Sequence, residues 1–180
     1  MTAWPLLVGF AAAVGLRVVI GGDDPAGSVP AALLFAGCLL VLAAAARPAV
    51  TWSLRAAGLG LLGVAVLCLP VLVHRTLFDW EPLRGTSGFL PWFAAVTAVV
   101  AAEELFLRGA LFEVVSRPWV AVVLGAVCFA LLHVPLYGWY VVPLDLAVGL
   151  VLGGLRVESG TPVAPFVAHL GADAVGWFVA

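Results

Sequence analysis

The chain has very little charge. Only 10% of its 180 residues are Asp, Glu, Lys or Arg, and every basic residue is an arginine. A soluble domain is about a quarter charged and about half apolar, whereas this chain is 64% hydrophobic with a mean hydropathy of +1.20. The composition therefore predicts an integral membrane protein. A formal net charge of -2 and the lack of any basic cluster exclude nucleic acid as a partner.

Cysteine is also scarce. Cys38, Cys68 and Cys128 each lie inside an apolar run, and they form neither a CxxC pair nor a disulfide spacing. They are predicted to be small core or lipid-facing residues. The sequence also lacks the HExxH helix of zinc proteases and the GxSxG turn that carries a serine nucleophile. These two absences exclude the zincin and the serine-nucleophile arrangements.

Long apolar runs divide the chain into predicted membrane spans. A spanning helix needs about 20 apolar residues, with a range of about 17–25. The runs that reach or approach this length are Trp4–Ile20, Val29–Ala46, Ala56–Val73, Phe89–Val115, Trp119–Tyr137, Val141–Leu155 and Val163–Val179. No basic residue precedes Arg17, so the first run is interpreted as a retained span rather than a signal peptide. The predicted fold is all-α, a polytopic transmembrane helix bundle of about seven spans, with six or eight as alternatives. The ionisable residues described below place a catalytic core in the last four spans.

The predicted domains divide at the longest polar connection, His74–Gly88. Residues 1–88 would contain the N-terminal transmembrane helices and this interfacial loop, with Trp80 at headgroup depth. Residues 89–180 would form the catalytic helix bundle. No internal repeat is evident, which disfavours transporters built from duplicated halves. The richness in Ala, Val, Leu, Gly and Arg points to a GC-rich bacterial genome, and hence to a bacterial plasma membrane.

The fourth apolar run contains three ionisable residues, Glu103, Glu104 and Arg108. A charge at the centre of a span costs about 2.5–3.5 kcal/mol, so such residues need partners or a function. On a helix, Glu104 and Arg108 share a face and can pair, while Glu103 is rotated by about 100° from Glu104. We expect Glu104 to be neutralised and positioned, and Glu103 to be left free as a general base or acid. The alternative is an ion-paired cluster that only fixes helix register, but that would need a single glutamate.

Two later runs each contain one histidine. Phe129 and His133 lie four residues apart near the end of the fifth run, although a lone histidine on an apolar helix is usually a packing residue. His169 and Asp173 are also four residues apart, and Asp173 is expected to accept the imidazole N–H and so fix the tautomer. Because ionisable groups at depth converge in bundle cores, we expect the three spans to meet at one site.

One free glutamate and two histidines can activate a water molecule. Glu103, His133 and His169 match a three-ligand zinc set with an open position for water. Without metal, Glu103 and His133 would hold the water, while His169 and Asp173 face the developing oxyanion. Both interpretations predict hydrolysis of a carbonyl substrate within the membrane, and the sequence leaves the metal open.

The order of these motifs resembles that of the CPBP family (CAAX protease and bacteriocin-processing, also called Abi), whose members are intramembrane proteases. The resemblance rests on Glu103 through Arg108, Phe129 through His133, and His169 through Asp173. It covers the chain from about Phe89 to the C-terminus. It implies a CPBP-type intramembrane endopeptidase, described for this family both as a zinc metalloprotease and as a metal-free, glutamate-dependent enzyme.

The resemblance also implies a role for each residue. Glu103 would activate the water beside His133, and His169 and Asp173 would complete the site or stabilise the oxyanion. Glu104 and Arg108, with Phe129, would be positioning residues. If a metal is bound, its ligands would be His133, His169 and Glu103, and the metal would be zinc.

Three classes of function are compatible with these features. The first is an endopeptidase acting on a membrane-embedded or membrane-associated peptide or protein in the lipid bilayer, such as a leader peptide or a bacteriocin-like peptide. The second is a non-catalytic membrane scaffold or bacteriocin-immunity protein that retains the fold. The third, an ion-coupled transporter using the same carboxylates, is disfavoured by the lack of a repeat.

Overall fold

In a computed structural model of the chain, residues 2–78 and 85–179 are described, and within these ranges every regular element is a helix. The described residues form seven helices: α1 (Ala3–Gly21), α2 (Val29–Ala46), α3 (Leu54–Phe78), α4 (Phe89–Val114), α5 (Pro118–Tyr137), α6 (Val142–Ser159) and α7 (Val163–Val179). The predicted all-α bundle is therefore confirmed. Trp80 and its neighbours at positions 79–84 lie outside the described residues.

Six of these helices are long and apolar enough to cross a membrane, when α6 is counted with the short 3-10 turn Trp139–Val141 that leads into it. The helix α7 is also apolar but shorter, with 17 residues. The chain is therefore an integral membrane protein. The predicted third span ends too early, because the apolar run stops at Val73 whereas α3 continues through the more polar turn at His74 to Phe78.

Local sequence explains several helix ends. Ser28 caps α2 by accepting a hydrogen bond from the Ala31 N–H at 3.4 Å. Proline occupies the first turn of α2, α5 and α6, where its missing N–H is not needed for a helical hydrogen bond. Gly160 ends α6 with a φ of 72°, a left-handed conformation that glycine adopts without strain. This turn reverses the chain into α7, which contains His169.

Small residues allow the helices to approach closely, as is usual in membranes. The helices α5 and α6 pack where a Cβ built on Gly149 would lie 2.7 Å from the Ala126 Cα. The helix α3 packs against α7, and α2 packs against α4, so the N-terminal helices cover the C-terminal ones. The predicted domain division at residue 88 stays a prediction.

The close approach at Gly149 leads to a stability prediction. Gly149→Ala is expected to destabilise the bundle by about 1–3 kcal/mol, because the added methyl would overlap backbone atoms of α5. Gly154→Ala on the same helix is the matched control, since a Cβ there meets nothing within 4 Å. Unfolding midpoints in detergent would compare the two variants. Equal midpoints would show that α5 and α6 do not pack as described.

Candidate active site

The helix α4 changes its geometry beside the two glutamates. It is α-helical from Phe89 to Glu104, π-helical over Leu105–Ala110, and α-helical again over its last turn. The spacing had predicted a regular helix throughout. A π-helical turn is rare, holds one more residue per hydrogen-bonded ring than an α-helix, and is frequent at functional sites. Arg108 lies inside this turn, and Glu104 lies immediately before it.

A buried cluster links α4, α6 and α7. Glu104 Oε1 accepts hydrogen bonds from Arg108 Nη1 at 2.8 Å and from His169 Nδ1 at 2.9 Å. Arg108 Nη2 also donates to the carbonyl oxygen of Gly149 at 3.2 Å. The side chains of Glu104 and Arg108 are each only 1% exposed. The predicted Glu104–Arg108 pair is therefore confirmed, and it also holds His169.

The prediction that Asp173 accepts the imidazole N–H of His169 is wrong, because that N–H donates to Glu104. Because a carboxylate oxygen only accepts, His169 Nδ1 must carry the hydrogen that Glu104 receives. Asp173 Oδ2 is 3.8 Å from His169 Nε2, beyond hydrogen-bonding distance, and its side chain is 37% exposed. The tautomer is therefore fixed by Glu104 across the helix interface, while Asp173 faces the other ring nitrogen.

His133 is oriented in a similar way. Its Nδ1 lies 3.0 Å from the carbonyl oxygen of Phe129 and 3.4 Å from Asp145 Oδ2. Since both oxygens accept, Nδ1 carries the hydrogen, and Nε2 of the neutral ring keeps its lone pair. Asp145 is not among the residues predicted from the sequence. Its only signal is that it is an acidic residue in the apolar first turn of α6.

Phe129 brings the two imidazoles together. Its ring centroid is 4.7 Å from that of His133 and 5.3 Å from that of His169, with both pairs edge to face. The guanidinium carbon of Arg108 lies 5.1 Å from the same ring centroid, a cation–π distance. One aromatic ring on α5 therefore contacts residues of α4 and α7, and the three predicted motifs converge.

Glu103 differs from Glu104 in having no fixed partner. Its side chain is buried, with 3% exposure, and within residues 2–78 and 85–179 it makes no hydrogen bond or ion pair. It interacts electrostatically with His169, Asp173 and Arg17. The helix thus presents one glutamate whose Oε1 accepts two hydrogen bonds and an adjacent one that makes none within the described residues. Arg17, which is buried on α1, is a second residue that was not predicted to belong to the site.

The predicted zinc ligands do not form a metal site as they are placed. Among the described residues, no three His, Cys, Asp or Glu side chains are grouped so that they could hold a metal ion. The set Glu103, His133 and His169 therefore does not fit a bound ion in this arrangement.

Comparison with known proteins bears on the C-terminal half of the chain. No curated protein and no solved structure matches the chain. A family model described as type II CAAX prenyl endopeptidase Rce1-like matches residues 85–175. This segment is just over half of the chain, it agrees with the predicted CPBP resemblance, and it contains every residue of the three motifs. The chain therefore belongs to the Rce1-like family of type II CAAX prenyl endopeptidases.

Proposed function

We propose that the chain is an intramembrane endopeptidase that hydrolyses a peptide bond of a membrane-associated peptide or protein. The observation that carries this proposal is the carboxylate of Glu103, which is buried, makes no hydrogen bond or ion pair within the described residues, and interacts electrostatically with His169, whose ring is held by Glu104. A general base needs a carboxylate that is not already committed to a cation. Glu103 meets this condition and Glu104 does not.

In the proposed reaction, Glu103 removes a proton from water as the water oxygen attacks the carbonyl carbon. His133 assists, because its bare Nε2 can accept a hydrogen bond from the same water while Phe129 and Asp145 hold Nδ1. The tetrahedral intermediate then collapses, the C–N bond breaks, and Glu103 returns the proton to the leaving amine. The products are a carboxylic acid and an amine, and the enzyme is restored.

His169 is the proposed donor to the oxyanion of the tetrahedral intermediate. Glu104 holds its Nδ1–H, so a second proton on Nε2 would allow the ring to donate from its free side. Asp173, at 3.8 Å from Nε2, is the carboxylate that would compensate the resulting positive charge. Glu104 and Arg108 act through His169 and are positioning residues. Phe129 contacts both rings and has the same role.

A leader peptide or a bacteriocin-like peptide in a bacterial plasma membrane is the substrate that we propose. Purified protein in proteoliposomes would be incubated with a library of membrane-associated peptides, and new termini would be identified by mass spectrometry. Wild type is expected to cleave some of them, and Glu103→Ala is expected to cleave none. Identical product patterns for the two proteins would end the protease proposal.

We also propose that this hydrolysis proceeds without zinc, since the three predicted ligands do not form a metal site as placed. Metal analysis of purified protein is expected to find less than one zinc per chain, and the content should not change in His133→Ala or His169→Ala. Activity should persist after treatment with a zinc chelator. Stoichiometric zinc that is lost in both histidine variants would overturn the metal-free mechanism and leave the protease proposal intact.

A further inference from the structure

A buried cation lies in α1, outside the segment that matches the family. Arg17 is 7% exposed and is located four residues before Gly21, where α1 ends. Its Nε has no hydrogen-bond partner within the described residues, and no carboxylate there lies within 4.0 Å of its guanidinium. Burying a charge without a partner costs several kcal/mol. A buried arginine in this position is therefore expected to have a function that offsets this cost.

Two other arginines, Arg108 and Arg156, differ from Arg17 in having hydrogen-bond and ion-pair partners. Arg108 is paired with Glu104, and Arg156 Nε donates to the carbonyl oxygen of Arg108 at 2.7 Å and lies 4.0 Å from Glu113. Each of these guanidinium groups is used to join helices. Arg17 makes no such connection, so its hydrogen-bonding capacity is not used within the described part of the protein.

An aromatic contact with α2 holds Arg17 in place. Its guanidinium carbon lies 5.2 Å from the ring centroid of Phe35 on α2, a cation–π contact. Phe10, also on α1, stacks on Phe106 in the π-helical turn of α4, with centroids 5.3 Å apart. The helix α1 is thereby anchored beside the turn that follows the two glutamates.

The charge of Arg17 acts on the reacting groups. It interacts electrostatically with Glu103 on α4 and with His133 and Tyr137 on α5. Tyr137 is the last residue of α5, and its side chain is exposed, with 48% accessibility. The cation is therefore within electrostatic range of both the proposed base and the exposed end of α5.

We propose that Arg17 is a substrate-binding residue that pairs with a carboxylate of the peptide. A guanidinium forms two parallel hydrogen bonds to a carboxylate, which fixes orientation as well as position. A peptide supplies this chemistry at its C-terminus or on an acidic side chain. The proposal rests on the endopeptidase function and assigns α1 a role in choosing the bond that is cleaved.

The test uses three matched forms of one peptide that wild type cleaves. One has a free C-terminal carboxylate, one has a C-terminal amide, and one has the amide and a single added glutamate. Values of kcat/KM would be measured in phosphatidylcholine nanodiscs for wild type, Arg17→Gln and Arg17→Lys. Arg117→Gln, which changes an exposed arginine at the start of α5, is the matched control.

Wild type is expected to prefer a carboxylate-bearing form over the plain amide by about ten- to one-hundredfold, as a charge-assisted hydrogen bond implies. A preference for the free-carboxylate form identifies the peptide C-terminus as the ligand of Arg17, and a preference for the glutamate form identifies an acidic side chain. Arg17→Gln should abolish the preference and Arg17→Lys should keep part of it, while Arg117→Gln should match wild type. An equal fall of kcat/KM for all three peptides would overturn the proposal, because Arg17 would then act on Glu103 or on the oxyanion.

Two further measurements separate this proposal from its alternatives. Because Arg17 has no ion-pair partner within the described residues, Arg17→Gln should lower the unfolding midpoint no more than loss of the Phe35 contact explains. A fall as large as that of Arg108→Leu would reveal a structural ion pair and overturn the proposal. If wild type cleaves none of the peptides, the endopeptidase function fails, and fluorescence binding of the labelled peptides to wild type and Arg17→Gln still decides the role of Arg17. Equal affinity for the carboxylate and amide forms would contradict it.

Discussion

Arg108→Leu is expected to destabilise the bundle by about 3–5 kcal/mol, because it leaves the buried charge of Glu104 without its cation. The variant also loses the hydrogen bond to the Gly149 carbonyl oxygen at 3.2 Å and so loosens α4 from α6. Because Glu104 orients His169, cleavage by the fraction that stays folded should fall as well. Unfolding midpoints in detergent would measure the loss of stability.

The chain offers a matched control for this variant. Arg55 pairs with Glu158, but their side chains are 66% and 63% exposed. Arg55→Leu makes the same chemical change and is expected to cost about 0–1 kcal/mol, since exposed ion pairs contribute little. Comparable losses in the two variants would show that Glu104 and Arg108 are not held in a buried cluster, and the explanation of how His169 is positioned would fail.

Interactions within one helix could be predicted from the sequence. Glu104 and Arg108 are one turn apart in the same run, so their pairing follows from helix geometry and does not depend on how the helices pack. The spans themselves follow from hydropathy and length, and Phe89–Val115 agrees with α4 to within one residue. The helix α3 extends further than predicted, because a helix can continue past the apolar run into polar residues.

Contacts between helices could not be predicted in this way. Glu104 binds His169 and Asp145 faces His133, and both contacts depend on which helices are neighbours. A helix that is apolar on all sides does not reveal in its sequence which face packs inward. Asp173 was therefore assigned to its own helical neighbour, His169, although a carboxylate on α4 lies closer.

Two further features depend on packing around α4. The π-helical turn Leu105–Ala110 lies where α2 and α5 contact α4, and no residue type in it requires that geometry. Arg17 lies near the end of the first apolar run, and nothing in the sequence indicates that it is buried. It is buried because α1 and α2 pack around it, and the family match, which begins at residue 85, does not extend to these helices.

Glu103→Gln is expected to lower kcat by about 10²–10⁴-fold, because an amide has no basic oxygen to take the proton of the attacking water. Glutamine has nearly the same shape, and Glu103 makes no hydrogen bond or ion pair within the described residues, so folding and peptide affinity should change little. Glu113→Gln is the matched control, since its carboxylate is 39% exposed and only approaches Arg156 at 4.0 Å. It should keep the wild-type kcat.

The division of labour between the two adjacent glutamates is tested most directly by the kcat of Glu103→Gln and Glu104→Gln, measured in proteoliposomes on the same cleaved peptide and corrected for the folded fraction. The structure predicts that Glu103→Gln remains as stable as wild type and is almost inactive, while Glu104→Gln is destabilised because Arg108 loses its counter-charge. A stable Glu103→Gln with the wild-type kcat would contradict the proposed role of Glu103 as the base.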